Sequence, residues 1–147
     1  MPPTTSLYLL DTNILVHFIR GDEVLARVRA IYHPLLIEPT PIISVVTVGE
    51  LRSLAIQFDW QSGKVDRTEF CLGYFRRVSI DSADIIEAYA VLDAHTRRAG
   101  HTLGKNVAWI AATASVTGAR LLTADRDFDR LDPHFLTLER IDLATKN

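Results

Sequence analysis

The chain holds one cysteine, Cys71, in 147 residues. This excludes an internal disulfide and any cysteine cage for zinc, and it suits a reducing compartment. Cys71 itself reads as a small core residue. No apolar run approaches the ~20 residues needed to cross a bilayer, and no basic start followed by an apolar segment marks a leader. The sequence therefore predicts a cytoplasmic protein with no membrane partner. An excess of one charge is also missing: 16 Lys and Arg stand against 18 Asp and Glu, a formal charge of -2. A nucleic-acid partner would need a local basic patch rather than a global field. The histidines, His17, His33, His95, His101 and His134, form no pair at metal-ligand spacing such as i, i+4. There is no GxSxG elbow, Gly-rich phosphate loop or dinucleotide fingerprint, which argues against serine hydrolases, nucleoside triphosphatases and Rossmann oxidoreductases.

What is present suffices for one domain spanning 1–147: 48% of residues are hydrophobic and 23% charged, and no linker, repeat or low-complexity tract interrupts the chain. SLYLLDTN places an apolar strand directly before Asp11. Ile14 to Arg20 and Glu23 to Tyr32 carry apolar residues at helical spacing, with Gly21 and Asp22 as the break. Pro34, Pro39 and Pro41 confine a helix-free stretch, after which IISVV reads as a second buried strand. VGELRSLAIQF turns helical, with Val48, Leu51, Leu54, Ala55 and Phe58 on its apolar stripe and Glu50 at the edge of that stripe near the helix start. A helix from about Lys64 to Arg76 leads into RRVSI, and Asp81 or Ser82 caps a long helix from about Ala83 to Ala99, stopped by Gly100. LGKNVAWIAATA forms the next helix, ended near Gly118; ARLLTAD repeats the strand-then-acid pattern, and Phe135 to Leu138 is a last short strand. This alternation predicts an α/β sandwich around a mostly parallel sheet of roughly four or five strands, whose ligands gather at the strands' carboxyl ends.

Asp11 and Asp125 both follow apolar strands, so such a fold brings them to one edge of the sheet, and Glu50 joins them if its helix starts there. Carboxylates crowded into one cleft repel each other unless a cation neutralises them. A hard divalent ion such as magnesium or manganese takes oxygen ligands, keeps waters and activates phosphodiester hydrolysis. Each acid alone has a plainer reading. Asp11 could simply cap the following helix, Glu50 could be solvated in a first helical turn, and the acids of TADRDFDRLD could pair with Arg126 and Arg130. Their joint placement carries the chemistry.

DTN after an apolar strand, VGEL in a helix, NVAWIAATA and LLTADRDF stand in an order and spacing that resembles PIN-domain ribonucleases, in particular VapC-type toxins of bacterial toxin–antitoxin pairs. The likeness covers essentially the whole chain. It implies a three-layer α/β/α fold, a site for Mg2+ or Mn2+, and RNA, often transfer RNA, as substrate. It also implies homodimers and a VapB-like antitoxin whose tail occupies the active-site groove. By position Asp11 matches the first metal-binding carboxylate and Glu50 the second, while Asn13 and Thr123 match supporting polar residues. The last acidic position falls on Asp125 or Asp127, with Asp125 favoured because it directly leaves the strand.

The remaining acidic position of the family lies three residues before the Ile of IAATA, and here it holds Val107. Valine can neither ligate a cation nor orient water; the adjacent Asn106 offers only a neutral amide oxygen. The expectation is weaker metal binding and an impaired enzyme, with an RNA- or antitoxin-binding module as the alternative. A third reading makes Asp11 the nucleophile of a magnesium-dependent phosphotransfer enzyme. Arg97, Arg98, His101 and Lys105 form a basic stretch where RNA phosphates could approach, or else a solvated helix end; Trp60 and Trp109 read as packing residues.

Overall fold

In the computed structural model, which describes residues 6–21, 23–32 and 38–142 apart from the side chains of Val24, Ile31 and Tyr32, β1 (Tyr8–Leu10) is the central strand. The chain continues through α1 (Thr12–Arg20), α2 (Glu23–Tyr32), β2 (Ile42–Ser44), α3 (Val45–Gln57), α4 (Ser62–Tyr74) and β3 (Arg76–Val78). It then runs through α5 (Ala83–Arg98), α6 (Lys105–Thr117), β4 (Arg120–Thr123), a 3-10 turn (Arg126–Leu131) and β5 (Thr137–Arg140). The sheet order is β3-β2-β1-β4-β5 and every pairing is parallel, with Leu9 opposite Ile42 on one side and Leu121 on the other.

Side chains of successive strand residues point to opposite faces, and the central strands are apolar on both. Tyr8, Leu10, Ile43 and Leu122 pack with buried residues of α1 to α4, among them Ile14, Leu15, Leu51 and Leu72. Leu9, Ile42 and Leu121 face the other way, onto Leu92 of α5, Ala108, Ile110, Ala111 and Ala114 of α6, and Phe128. Covering both faces yields the expected three-layer α/β/α sandwich. The alanines of α6 are buried; their small side chains let it lie close to α5 and the sheet. Cys71 is a buried core residue, and Trp60 packs at the edge of the first cluster, as expected.

Several boundaries move. IISVV is strand only through Ser44, because the Ser44 hydroxyl accepts from Val46 N at 3.1 Å and caps α3, so Val45 and Val46 are helical. Glu50 thus lies in the second turn of α3, not its first. Phe58 leaves the apolar stripe and is 68% exposed, since α3 ends at Gln57. The helix expected over Lys64 to Arg76 runs Ser62–Tyr74, freeing Arg76 to open β3. The last strand is displaced from Phe135–Leu138 to Thr137–Arg140, because Phe135 N and Leu136 N both bond back to Leu131 O and close a turn. Ser82, rather than Asp81, caps α5 through a hydrogen bond from Ile85 N. Gly21 ends α1 at φ +66, a left-handed conformation that glycine adopts without strain. The expected break residue Asp22, together with His33 and Pro34, lies outside the described residues. Among the described residues no helix is long and apolar enough to cross a membrane.

From β1 the chain adds β2 and β3 on one side, then crosses to place β4 and β5 on the other. The reversal leaves a crevice beyond the carboxyl ends of β1 and β4, where the following loops diverge.

Candidate active site

Asp11 stands at the β1 side of that crevice. Its N–H donates to Leu122 O at 3.0 Å, extending the ladder by one residue before the chain turns into α1. One carboxylate oxygen, Oδ1, accepts from Thr12 N at 2.8 Å, and Oδ2 accepts from the Thr123 hydroxyl at 2.6 Å. Asp11 is therefore the cap of α1, as its plainer reading held, and at the same time a carboxylate only 5% exposed.

Thr123 ends β4 and serves three neighbours. Besides donating to Asp11, its Oγ1 accepts from Asp125 N at 3.0 Å and lies 3.4 Å from the donating Asn13 Nδ2. Asn13 Oδ1 accepts from Ala124 N at 3.2 Å. The two polar residues expected to support the site thus tie the exits of β1 and β4 together. Asp125 caps the 3-10 turn by accepting from Asp127 N at 2.9 Å.

Glu50 reaches the same place from α3. Its Oε1 accepts from the Thr12 hydroxyl at 2.7 Å, and that hydroxyl is also 3.0 Å from Thr47 Oγ1. Sequence reasoning missed Thr12 and Thr47. A usable signal existed: Thr47 lies three residues before Glu50, on the same helical face, and is fully buried in an apolar stretch.

Asp11, Thr12, Asn13, Glu50, Val107 and Asp125, with apolar Val16, Leu54 and Ile110, line one cleft of about 250 Å³. Val107 shares this lining with Asp11, Glu50 and Asp125. It is half-buried and packs against the second core cluster. Asn106 is exposed and lines an adjoining cleft of about 560 Å³ with Thr12, Glu50 and Trp109. Trp109 stacks on Tyr89 with ring centroids 4.0 Å apart, in keeping with a packing role. Asp127 is exposed and lines a third cavity instead. Arg97 pairs with Asp93 at 3.0 Å, and Arg98 and Lys105 are exposed; none of the three is in the lining of these cavities.

Burial pushes the Asp11 carboxyl up to about 6. The hydrogen bonds from Thr123 and Thr12 N pull the other way, and the charges of Glu50 and Asp125 add to the rise. Positive charge brought into the cleft would reverse the cost of ionising it. The donor atoms offered are oxygens alone, which suits a hard cation rather than zinc. Among the described residues no three His, Cys, Asp or Glu side chains stand close enough to enclose an ion by themselves. Magnesium needs no such cage, because it is ordinarily held by one or two carboxylates while keeping several waters. Asp11 with Glu50 or Asp125 fits that requirement. Both Asp11 oxygens retain acceptor capacity beyond their present hydrogen bonds.

Residues 8–133 match the PIN domain family. Ribonuclease VapC4 of Mycobacterium tuberculosis is 38% identical over 88 residues, covering 58% of this chain and 67% of that protein. A toxin–antitoxin complex from Klebsiella pneumoniae superposes with a TM-score of 0.66 at 28% identity, over 91% of this chain and 99% of the other. VapBC2 from Rickettsia felis, solved with a DNA fragment of its promoter, superposes with a TM-score of 0.76 at 24% identity, over 91% and 98%, a likeness of fold. With the match spanning both strand exits and every acid of the cleft, the chain belongs to the PIN domain family and is of the VapC type.

Proposed function

We propose that the chain is the ribonuclease toxin of a VapBC-type pair, cutting RNA phosphodiester bonds at the cleft of Asp11, Glu50 and Asp125. One observation supports this above the others: three carboxylates carried by different elements line a single cleft at the switch point of the sheet, in a PIN-family chain. The partner is a VapB-type antitoxin, as in the complexes the chain resembles. A homodimer and a cytoplasmic location accompany this reading.

Magnesium or manganese held by Asp11 with Glu50 or Asp125 would polarise a phosphodiester and lower the pKa of an attacking water. The protein's own contribution is positional. Thr123 and the Thr12 N–H fix both oxygens of Asp11, and the Thr12 hydroxyl fixes Glu50. Val16, Leu54, Val107 and Ile110 supply the apolar wall, which strengthens electrostatic interactions in the cleft.

A second reading, a PIN-like module that binds RNA or antitoxin without cleaving, draws on Val107, which puts a methyl-bearing wall where a further carboxylate would face the cleft. No specific observation favours the phosphotransfer alternative, in which Asp11 itself attacks phosphorus. The deciding experiment measures RNA cleavage by this chain, by Asp11→Ala and by Val107→Asp, each with magnesium, manganese or chelator. Metal-dependent cleavage lost in Asp11→Ala is expected. Cleavage that survives Asp11→Ala overturns the site, and cleavage by Val107→Asp alone selects the non-cleaving module for the native chain.

A further inference from the structure

We infer that the cavity formed by the loop after α5 and the 3-10 turn is a binding subsite for backbone phosphates of the RNA strand, with Arg126 and Arg130 as its anion-holding groups. The cavity measures about 410 Å³ and is lined by Gly100, His101, Thr102, Leu103, Arg126, Asp127 and Arg130. The inference rests on the ribonuclease reading and adds to it the residues that position the substrate.

Three acids of TADRDFDRLD are engaged away from the arginines beside them. Asp125 accepts from Asp127 N, Asp129 pairs with Arg140 at 3.0 Å, and Asp132 Oδ1 accepts from Leu138 N at 3.2 Å. Two aspartates of this acid-rich turn are thereby held by backbone N–H groups and one by a distant arginine. Arg126 and Arg130 are exposed and make no ion pair among the described residues. Arg52, Arg97, Arg120 and Arg140 each meet a carboxylate and Arg67 donates to Ile19 O; Arg20, Arg76, Arg77 and Arg98 are also exposed without an ion pair among the described residues, and what sets Arg126 and Arg130 apart is that both line one cavity. Asp127 also lines the cavity, and the two guanidiniums outweigh it, leaving a positive balance.

Location gives the charge its use. Arg126 directly follows Asp125, which lines the carboxylate cleft; consecutive Cα atoms are about 3.8 Å apart, so the backbone at Arg126 lies one residue from the lining of that cleft. A strand whose scissile phosphodiester lies at Asp11 and Asp125 would set a neighbouring phosphate against the guanidiniums, whose planar fork matches phosphate oxygens. The acidic cleft repels an RNA backbone, so a cationic holdfast that starts at the next residue along the chain is the complement it requires.

The test is binding of a single-stranded RNA oligonucleotide by the antitoxin-free chain, followed by fluorescence anisotropy with chelator present and salt varied. The double variant Arg126→Gln with Arg130→Gln is expected to bind at least tenfold more weakly. Its slope of log K against log salt should be shallower by about 1.4, since each phosphate contact on a single strand contributes about 0.7. The variant with Lys at both positions keeps the charges and should restore most of the slope, which a merely structural role would not. No RNA binding by the native chain, an unchanged slope, or an equal loss from Arg98→Gln with Lys105→Gln overturns the proposal. Absence of cleavage by the native chain in a separate magnesium assay counts against the ribonuclease reading alone, because the subsite is judged by binding.

Discussion

The Thr123 hydroxyl donates to Asp11 Oδ2 at 2.6 Å across the exits of β4 and β1, joining the two sides of the switch point through one buried bond. The same oxygen accepts from Asp125 N, so a single threonine holds two acids of the cleft in place. Thr123→Val preserves shape but removes both interactions. It should cost about 1–3 kcal/mol of stability, more above pH 6 than below it, because the stranded partner is then a buried carboxylate. Urea denaturation at pH 5 and pH 8 measures this, and equal losses at both would show that Asp11 does not depend on the bond when ionised.

Asp11 itself should weaken the metal-free fold at neutral pH. Its folded-state pKa, about 6 against an ordinary 3.8, is raised mainly by burial. Below about pH 4 the carboxyl is protonated in both states and costs nothing; between there and pH 6 only the unfolded chain ionises, and above that the full cost remains. Asp11→Asn is expected to gain stability relative to the native chain as pH rises, the pH-dependent part approaching about 3 kcal/mol. A stability difference that stays flat from pH 4 to 8 would contradict the buried, raised carboxyl.

The Thr12 hydroxyl fixes Glu50 from a different helix. Thr12→Val should therefore leave the fold largely intact while weakening magnesium or manganese binding about 10–100-fold, the usual effect of losing a partner that orients a ligand. Calorimetric titration of the metal gives the affinity. An unchanged affinity would mean that Glu50 takes no part in holding the ion.

Val107→Asp places a further carboxylate in a cleft already lined by Asp11, Glu50 and Asp125. In chelator the variant should lose about 1–3 kcal/mol through burial of a charge among like charges. Magnesium should return more of that loss than it gives the native chain, and cleavage should rise. Thermal melts with and without magnesium, beside a cleavage assay, test both halves. A variant as stable as the native chain in chelator would place the new side chain outside the cleft.

The layered fold was legible because its signals are local. YLL and RLLT are apolar on both faces, so they had to be central parallel strands, and the caps and glycines punctuated the helices between them. Boundaries were less legible: Val45 and Val46 look like strand, yet the Ser44 cap makes them helix. Strand exits in the sequence put Asp11 and Asp125 at one sheet edge, with Glu50 joining if its helix started there, and the resemblance to PIN-domain ribonucleases marked Val107 as the departure and left the last acid between Asp125 and Asp127.

Tertiary structure decided what those residues touch. That Thr12 from one helix holds Glu50 from another, and that Asp125 shares a cleft with Asp11 while Asp127 lines a different one, depends on contacts between segments far apart in the chain. It likewise freed Arg126 and Arg130 from the acids beside them, since Asp129 and Asp132 find their partners at the other end of a folded turn. Local pattern sets the elements, because backbone hydrogen bonding and apolar periodicity act over a few residues. Burial, charge and accessible surface are properties of the packed whole, and those determine how this cleft can act.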